Sequence, residues 1–148
     1  MKKLEAHEAT NAWIAVVRAY NLCSKAIAKR IEPTGLNLLE HEVLMNLLLA
    51  PGLSQQQLAA RCFSAKSGIS AIVSKLEDQR ILERLPSDKD ARKKLLFLTE
   101  SGRNQATENF QIQNEIIDTM ASVYTADELA DLEVSMTSMG ERLKDRYL

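Results

Sequence analysis

Apolar residues recur at three- and four-residue steps along most of this chain, and that period predicts amphipathic helices. The first stretch runs from residue 11 to residue 31, where Pro33 and Gly35 end it. The second, LLEHEVLMNLLLA, continues until Pro51 and Gly52. The apolar stripe of the first helix consists of Trp13, Val16, Val17, Tyr20, Ile27 and Ile31.

Capping boxes mark where several helices begin. In this motif an N-cap side chain and a Glu or Gln three residues later bond each other's backbone N–H groups. We therefore expect helices to start directly after residues 37, 54 and 125, and Thr99 is expected to cap a further helix that ends near residue 124. The capping pairs are Asn37 with Glu40, Ser54 with Gln57, and Thr125 with Glu128.

Two short helices follow Ser54, separated only by the segment FSA. The first turns Leu58, Ala59 and Cys62 inward, and the second has an inward stripe at helical spacing. The outer face of the second helix begins with small or basic side chains, which can approach a base edge or a phosphate closely. This layout predicts a helix-turn-helix with a recognition helix. The inward stripe is Ile69, Ile72, Val73 and Leu76, and the outer face begins with Lys66, Ser67 and Ser70.

After Arg80 the period shortens, and ILERLPS and KKLLFLT are predicted to be two strands of a hairpin. Residues 95–98 are all apolar, so the second strand is expected to be covered on both faces. A hairpin after a recognition helix is a wing, and its basic tip can reach toward the minor groove.

The last predicted helix carries an a/d seam over two heptads. Such a seam can pack on its own domain, but the N-terminal helix and the helix after Thr99 have similar stripes. Because this is more apolar surface than one small winged domain covers, we expect a homodimer. The seam residues are Leu129, Leu132, Met136, Met139 and Leu143.

The net charge of −1 conceals an uneven distribution. Residues 54–99 hold nine basic and five acidic side chains, whereas residues 100–148 hold four basic and ten acidic ones. A solvated surface could account for the charges alone, but the basic middle coincides with the predicted helix-turn-helix and wing, which favours a nucleic acid partner.

Several other classes of protein are not supported by the sequence. No apolar run approaches the length of a membrane span, and MKKLEAHEATNAW has no signal-peptide core, so cytoplasmic residence is expected. The sequence has no catalytic triad spacing and no phosphate loop, and we expect no enzyme activity, metal or cofactor. Cys23 and Cys62 are each expected to be buried thiols, with Cys23 as a possible redox sensor.

The helix pair and wing together resemble the MarR family (multiple antibiotic resistance regulators) of winged-helix transcription factors. The similar segments are LSQQQLAARC, SGISAIVSKLEDQRILER, DKDAR and LFLTESG. Asp90 and Arg92 match the family's D-x-R signature, and Leu98, Thr99 and Gly102 match its LT-x-x-G signature. In the family, glycine usually precedes the first wing strand, where this chain has Arg80.

The resemblance implies a dimer bound to a pseudo-palindromic double-stranded DNA operator, usually as a repressor released by a small-molecule effector or by oxidation. It places residues 64–70 in the major groove and Arg92, oriented by Asp90, on the wing. Lys75 is expected at a phosphate and Lys89 at the wing tip, while Arg84, at the start of the first wing strand, could either support the wing or contact a phosphate. The predicted DNA-binding residues are Ser64, Lys66, Ser67, Ser70, Lys75, Arg84, Lys89, Asp90 and Arg92.

The ligand cleft of the family suggests four effector-binding candidates, although residues of these types more often belong to a core or an interface. They are Trp13, Tyr20, His41 and Met45.

The predicted fold is therefore mainly α (α+β). A winged helix-turn-helix DNA-binding region spans residues 37–99, and residues 1–36 and 100–148 form a helical dimerisation region. The alternative is a winged-helix protein–protein adaptor that does not bind DNA, because a fold does not determine a function. RNA binding has less support, since no aromatic stacking platform is evident.

Overall fold

The computed structural model describes residues 6–148; the lysines at positions 2 and 3 and the rest of residues 1–5 lie outside the described residues. The described elements follow the predicted order, and a short 3-10 turn, Glu32–Thr34, follows the first helix. They are α1 (Ala6–Ile31), α2 (Leu38–Leu49), α3 (Gln55–Arg61), α4 (Lys66–Asp78), β1 (Leu82–Pro86), β2 (Lys94–Leu98), α5 (Glu100–Ala121) and α6 (Ala126–Tyr147).

All three predicted capping boxes are formed. At the start of α2, Asn37 Oδ1 accepts from the Glu40 amide at 2.9 Å, and Glu40 Oε2 accepts from the Asn37 amide at 3.0 Å. The boxes that open α3 and α6 have the same reciprocal pattern. Because each box satisfies N–H groups that would otherwise lack a partner, the sequence determines these three starts locally.

Two predicted helix ends were wrong by several residues. α1 begins at Ala6, ahead of residue 11, because its first turns are polar and apolar spacing does not reveal them. α5 ends at Ala121 rather than near residue 124. There the Tyr124 amide donates to the Ala121 carbonyl at 3.0 Å, and this tight turn leads into the extended Thr125 that caps α6.

The chain divides within α5 into two compact units, of which the first ends at Asn114 and the second is Glu115–Leu148. The core of the first unit is built from the inward faces of α2, α3 and α4, the two strands and the start of α5. It contains the predicted stripe of α4, in which Ile69, Val73 and Leu76 are buried and Ile72 is half-buried. The other central residues are Val43, Leu44, Leu47, Leu58, Leu82, Leu96, Leu98 and Ala106.

The wing is an antiparallel hairpin in which Leu82 pairs with Leu98 and Pro86 pairs with Lys94. Leu53, just after α2, adds an isolated antiparallel bridge to Leu96, with the Leu96 amide donating to the Leu53 carbonyl at 2.8 Å. β2 buries Leu96 and Leu98 on one face and half-buries residues 95 and 97 on the other. We expected both faces of β2 to be covered; one face is buried, and the other is only half-buried.

Candidate nucleic-acid interface

α4 presents the polar face that the sequence predicts, because its opposite stripe is fixed in the core. Lys66 and Ser67 are exposed, whereas Ser64 and Ser70 are half-buried. The N-cap residue Ala65 has no side chain that could accept a hydrogen bond, so the cap of α4 leaves its first amides without a side-chain partner. Such amides at a helix start can bind a phosphate.

The turn before α4 closes with a Schellman motif at the end of α3. The Ser64 amide donates to the Ala59 carbonyl at 3.1 Å, and the Phe63 amide donates to the Ala60 carbonyl at 3.3 Å. The motif requires a left-handed residue, and Phe63 adopts a φ of +47° with its side chain 94% exposed. Apolar periodicity does not single out Phe63; its only sequence signal is an aromatic residue in a short interhelical turn.

A second Schellman motif ends α4. The Ile81 amide donates to the Leu76 carbonyl and the Arg80 amide to the Glu77 carbonyl, both at 2.9 Å. Arg80 occupies the left-handed position with a φ of +57°. Arginine here therefore adopts a conformation that glycine adopts more readily.

The LT-x-x-G signature joins α5 to this turn. The Thr99 hydroxyl donates to the Arg80 carbonyl at 2.7 Å and accepts from the Gly102 amide at 3.0 Å, while the Thr99 amide donates to the Ile81 carbonyl at 3.1 Å. A Cβ atom at Gly102 would lie only 1.9 Å from the Ile81 carbonyl oxygen. Glycine is thus required there by the close approach of two backbones. We call residues 80, 81, 99 and 102 the α4–α5 junction.

The wing tip brings Asp90 and Arg92 together. Asp90 Oδ1 accepts from both the backbone amide and Nε of Arg92, each at 3.1 Å. The Arg92 side chain is nevertheless 92% exposed, so its remaining N–H groups are accessible to an acceptor outside the fold. Lys89 is exposed on the same turn. The contacts of these residues with DNA stay predictions.

Two basic residues predicted to contact phosphates are paired within the fold. Lys75 Nζ lies 2.6 Å from Oε1 of Glu40, whose carboxyl also completes the α2 capping box. Arg84 Nε donates to Glu77 Oε2 at 3.0 Å, which joins the first wing strand to the end of α4. Both pairs orient the recognition helix, and both basic side chains keep some exposed surface.

The four effector-binding candidates occupy different environments. Trp13 and Tyr20 are exposed on α1, whereas His41 and Met45 are buried in α2. His41 Nε2 lies 2.8 Å from Gln113 Oε1, while its Nδ1 has no hydrogen-bond partner within residues 6–148. Burial lowers the pKa of His41, and the bond to Gln113 opposes that shift.

The first unit also has a surface groove of about 460 Å³ lined by α1 and the first residue of α2, and none of the four effector-binding candidates lines it. Its lining residues are Asn21, Leu22, Ser24, Lys25, Ala28 and Leu38.

The two cysteines differ in their surroundings. Cys62 is buried, and desolvation, with a smaller contribution from the Glu42 carboxylate, raises its pKa to about 11; a hydrogen bond from Asn46 acts in the opposite direction. A thiol with this pKa stays protonated at neutral pH and reacts slowly with oxidants. Cys23 is only partly buried, so the expectation of a buried thiol was wrong at that position.

The predicted seam on α6 is exposed, and none of the described residues of this helix is buried. The five side chains lie on one face by their spacing and are each between 36% and 47% exposed. They are Leu129, Leu132, Met136, Met139 and Leu143.

The order of α3, α4, β1 and β2 after α2 defines a winged helix-turn-helix protein. A family model described as MarR family matches residues 34–93. The HTH-type transcriptional regulator MhqR of Bacillus subtilis (strain 168) is 31% identical over 117 residues, which cover 79% of this chain and 81% of that protein. The chain belongs to the MarR family, whose members are DNA-binding transcriptional regulators.

Solved structures confirm the predicted fold class. AbsC, a MarR family transcriptional regulator from Streptomyces coelicolor, has a TM-score of 0.82 at 21% identity, covering 99% of this chain and 100% of AbsC. CouR from Rhodococcus jostii RHA1, bound to p-coumaroyl-CoA, has a TM-score of 0.81 at 22% identity, covering 88% of this chain and 92% of CouR. Across residues 6–148, every helix is too short or too polar to span a membrane.

Proposed function

We propose that this chain is a homodimeric repressor that binds a pseudo-palindromic operator and is released by a small-molecule or oxidative signal. Each subunit inserts α4 into a major groove and the wing into the adjacent minor groove. Half-sites one helical turn apart place the two copies of α4 about 34 Å apart. Such a protein acts in the cytoplasm, where a chromosomal operator is accessible.

The observation that carries the proposal is the Arg92 guanidinium, held by Asp90 at 3.1 Å and still 92% exposed. An arginine fixed at its Nε but open at its terminal nitrogens suits a narrow minor groove, where the negative potential is concentrated. Lys66, Ser67 and Ser70 then supply the contacts of the recognition helix, and Lys89 reaches a phosphate.

Dimerisation would cover the exposed apolar face of α6, whose contact with water is otherwise unfavourable in free energy. We assign residues 1–36 and 100–148 to the dimerisation region and residues 37–99 to the DNA-binding region. Substituting Leu132 and Met136 by lysine is expected to yield monomers in analytical ultracentrifugation and to weaken operator binding. A dimer that survives both charges would contradict this interface.

The wing contact is tested by Arg92→Ala. We expect weaker operator binding with an unchanged dimer and melting temperature, because the side chain is exposed and its only described partner is Asp90. Arg142→Ala, which removes an exposed arginine from α6, serves as the matched control. Affinity should also fall steeply with salt through counterion release. Unaltered binding by Arg92→Ala would remove the proposed role of the wing.

Selection of operator sequences from random genomic fragments separates a regulator from an adaptor. An enriched pseudo-palindrome is expected for the regulator. No enrichment, together with capture of an acidic partner protein by the wing, would favour the adaptor. The selected duplex then allows a screen for small molecules or peroxide that release the protein, with Cys23→Ser as the control for oxidation.

A further inference from the structure

Phe63 is an aromatic side chain that the fold itself does not use. It is 94% exposed, and the core of the first unit does not include it. It also adopts a φ of +47°, a region that residues with a Cβ atom rarely enter. A strained backbone and an exposed aromatic ring are both unfavourable, and burial within this chain compensates for neither. Strain of this kind is a reason to look for a function.

The position of Phe63 indicates where that function lies. The residue belongs to the turn between α3 and α4, directly before Ser64 and close to the exposed Lys66 and Ser67 of the recognition helix. The first turn of α4 also contains Gly68, where a Cβ atom would meet only the Ser64 hydroxyl, at 3.5 Å. Phe63 thus directly precedes the polar face that α4 exposes at its start.

The chemistry of a phenyl ring restricts what it can recognise there. It has no hydrogen-bond donor for a phosphate and would leave polar base edges without partners. The apolar feature of the major groove is the C5-methyl group of thymine, which phenylalanine can contact. We propose that Phe63 contacts a thymine methyl group in each half-site and makes the operator preference depend on that base. This inference rests on the proposed function.

The test replaces the thymidines of the selected operator one position at a time by deoxyuridine, which lacks only the methyl group. We expect one thymine position at which the replacement matters. Replacing it in one half-site should lower wild-type affinity about four-fold, the effect of one buried methyl group, and replacing it in both half-sites should lower the affinity about 15-fold. Phe63→Gly should bind the unmodified operator more weakly and lose no further affinity on the modified duplex.

Two controls separate this contact from a structural role. Phe63→Gly also relieves the left-handed strain, so its melting temperature should rise while operator binding falls. Arg80→Gly relieves the same strain at the other end of α4, and it should retain the full sensitivity to deoxyuridine.

Three outcomes would overturn the inference. Wild-type binding that ignores every thymine replacement excludes a methyl contact. Equal loss by Phe63→Gly on all DNA sequences places the ring against sugar instead. Deoxyuridine sensitivity that persists in Phe63→Gly assigns the methyl contact to another residue. Failure of the proposed function is distinguishable, because the wild-type protein would then select no operator.

Discussion

Arg80 occupies a left-handed backbone conformation that glycine adopts more readily. Its φ of +57° lets α4 end in a Schellman motif, and the Thr99 hydroxyl bonds its carbonyl at 2.7 Å. The turn is therefore determined by backbone hydrogen bonds on both sides of Arg80. The residue itself accepts an unfavourable conformation that glycine would adopt without strain.

Replacing Arg80 by glycine should raise the free energy of unfolding by about 0.5–1 kcal/mol. A left-handed residue with a Cβ atom costs roughly 1–2 kcal/mol, and the greater freedom of glycine in the unfolded chain cancels part of the gain. Urea denaturation measures the change. Arg80→Ala keeps the Cβ atom and should gain little, so equal stabilisation by alanine would contradict a backbone origin.

Gly102 is the opposite case, a glycine required by space. Gly102→Ala would bring a Cβ atom to 1.9 Å from the Ile81 carbonyl oxygen, which belongs to the backbone and cannot move alone. We expect a loss of at least about 2 kcal/mol in unfolding free energy. Gly68→Ala is the matched control, because it lies in a helix with ordinary space and should gain up to about 1 kcal/mol.

At the scale of elements, the orientation of α4 depends on Glu40. One oxygen of this carboxyl caps α2 and the other bonds Lys75 of α4 at 2.6 Å, and the side chain is only 3% exposed. A capping residue thus also joins two helices. The capping box was predictable from the sequence, but its connection to α4 was not, because Glu40 and Lys75 are 35 positions apart.

Lys75→Met should lower the unfolding free energy by about 1–3 kcal/mol, because it leaves the buried Glu40 charge without its cation. This range lies below that of fully buried pairs, since the Lys75 side chain is 48% exposed. Glu40→Gln keeps an oxygen for the α2 cap. In a double-mutant cycle, adding it to Lys75→Met should restore part of the stability; additive losses would argue against coupling.

At the scale of the whole molecule, local motifs were the most predictable features. Three helix starts followed from side chains within four residues of each other, and the wing followed from a change of period. The left-handed turn at Phe63 has no such signal, and for Arg80 the signal was the glycine of the resembled family, not the arginine itself. The burial of His41 and Met45 agrees with the expectation that residues of these types belong more often to a core or an interface, but the sequence did not show which helices pack around α2.

Burial of His41 gives a whole-molecule prediction. Because burial lowers its pKa below the ordinary 6.5, the unfolded chain binds this proton more readily than the folded chain. Unfolding free energy should therefore be unaffected by His41 above that pH and decrease as the pH falls below 6.5. Urea denaturation at a series of pH values between about 7 and 5.5 measures the slope.

His41→Asn should flatten the slope in this range, since asparagine does not titrate. Burial raises the pKa of Glu42, so its contribution to stability changes with pH in the opposite direction to that of His41, and hydrogen bonds from Thr125 lower the pKa of Glu128 below the ordinary 4.5. An unchanged slope in His41→Asn would show that another group is responsible.

The α4–α5 junction has a practical consequence for anyone who recombines this protein. Transplanting its DNA-recognition module onto a foreign dimer scaffold by cutting after Leu98 would discard the threonine and glycine that hold the exit of α4. The graft would keep the residues proposed to contact the bases, but the C-terminal end of their helix would lack the hydrogen bonds that hold it. A chimera should keep the chain intact past Gly102, so the natural crossover point lies inside α5 rather than at the end of the sheet.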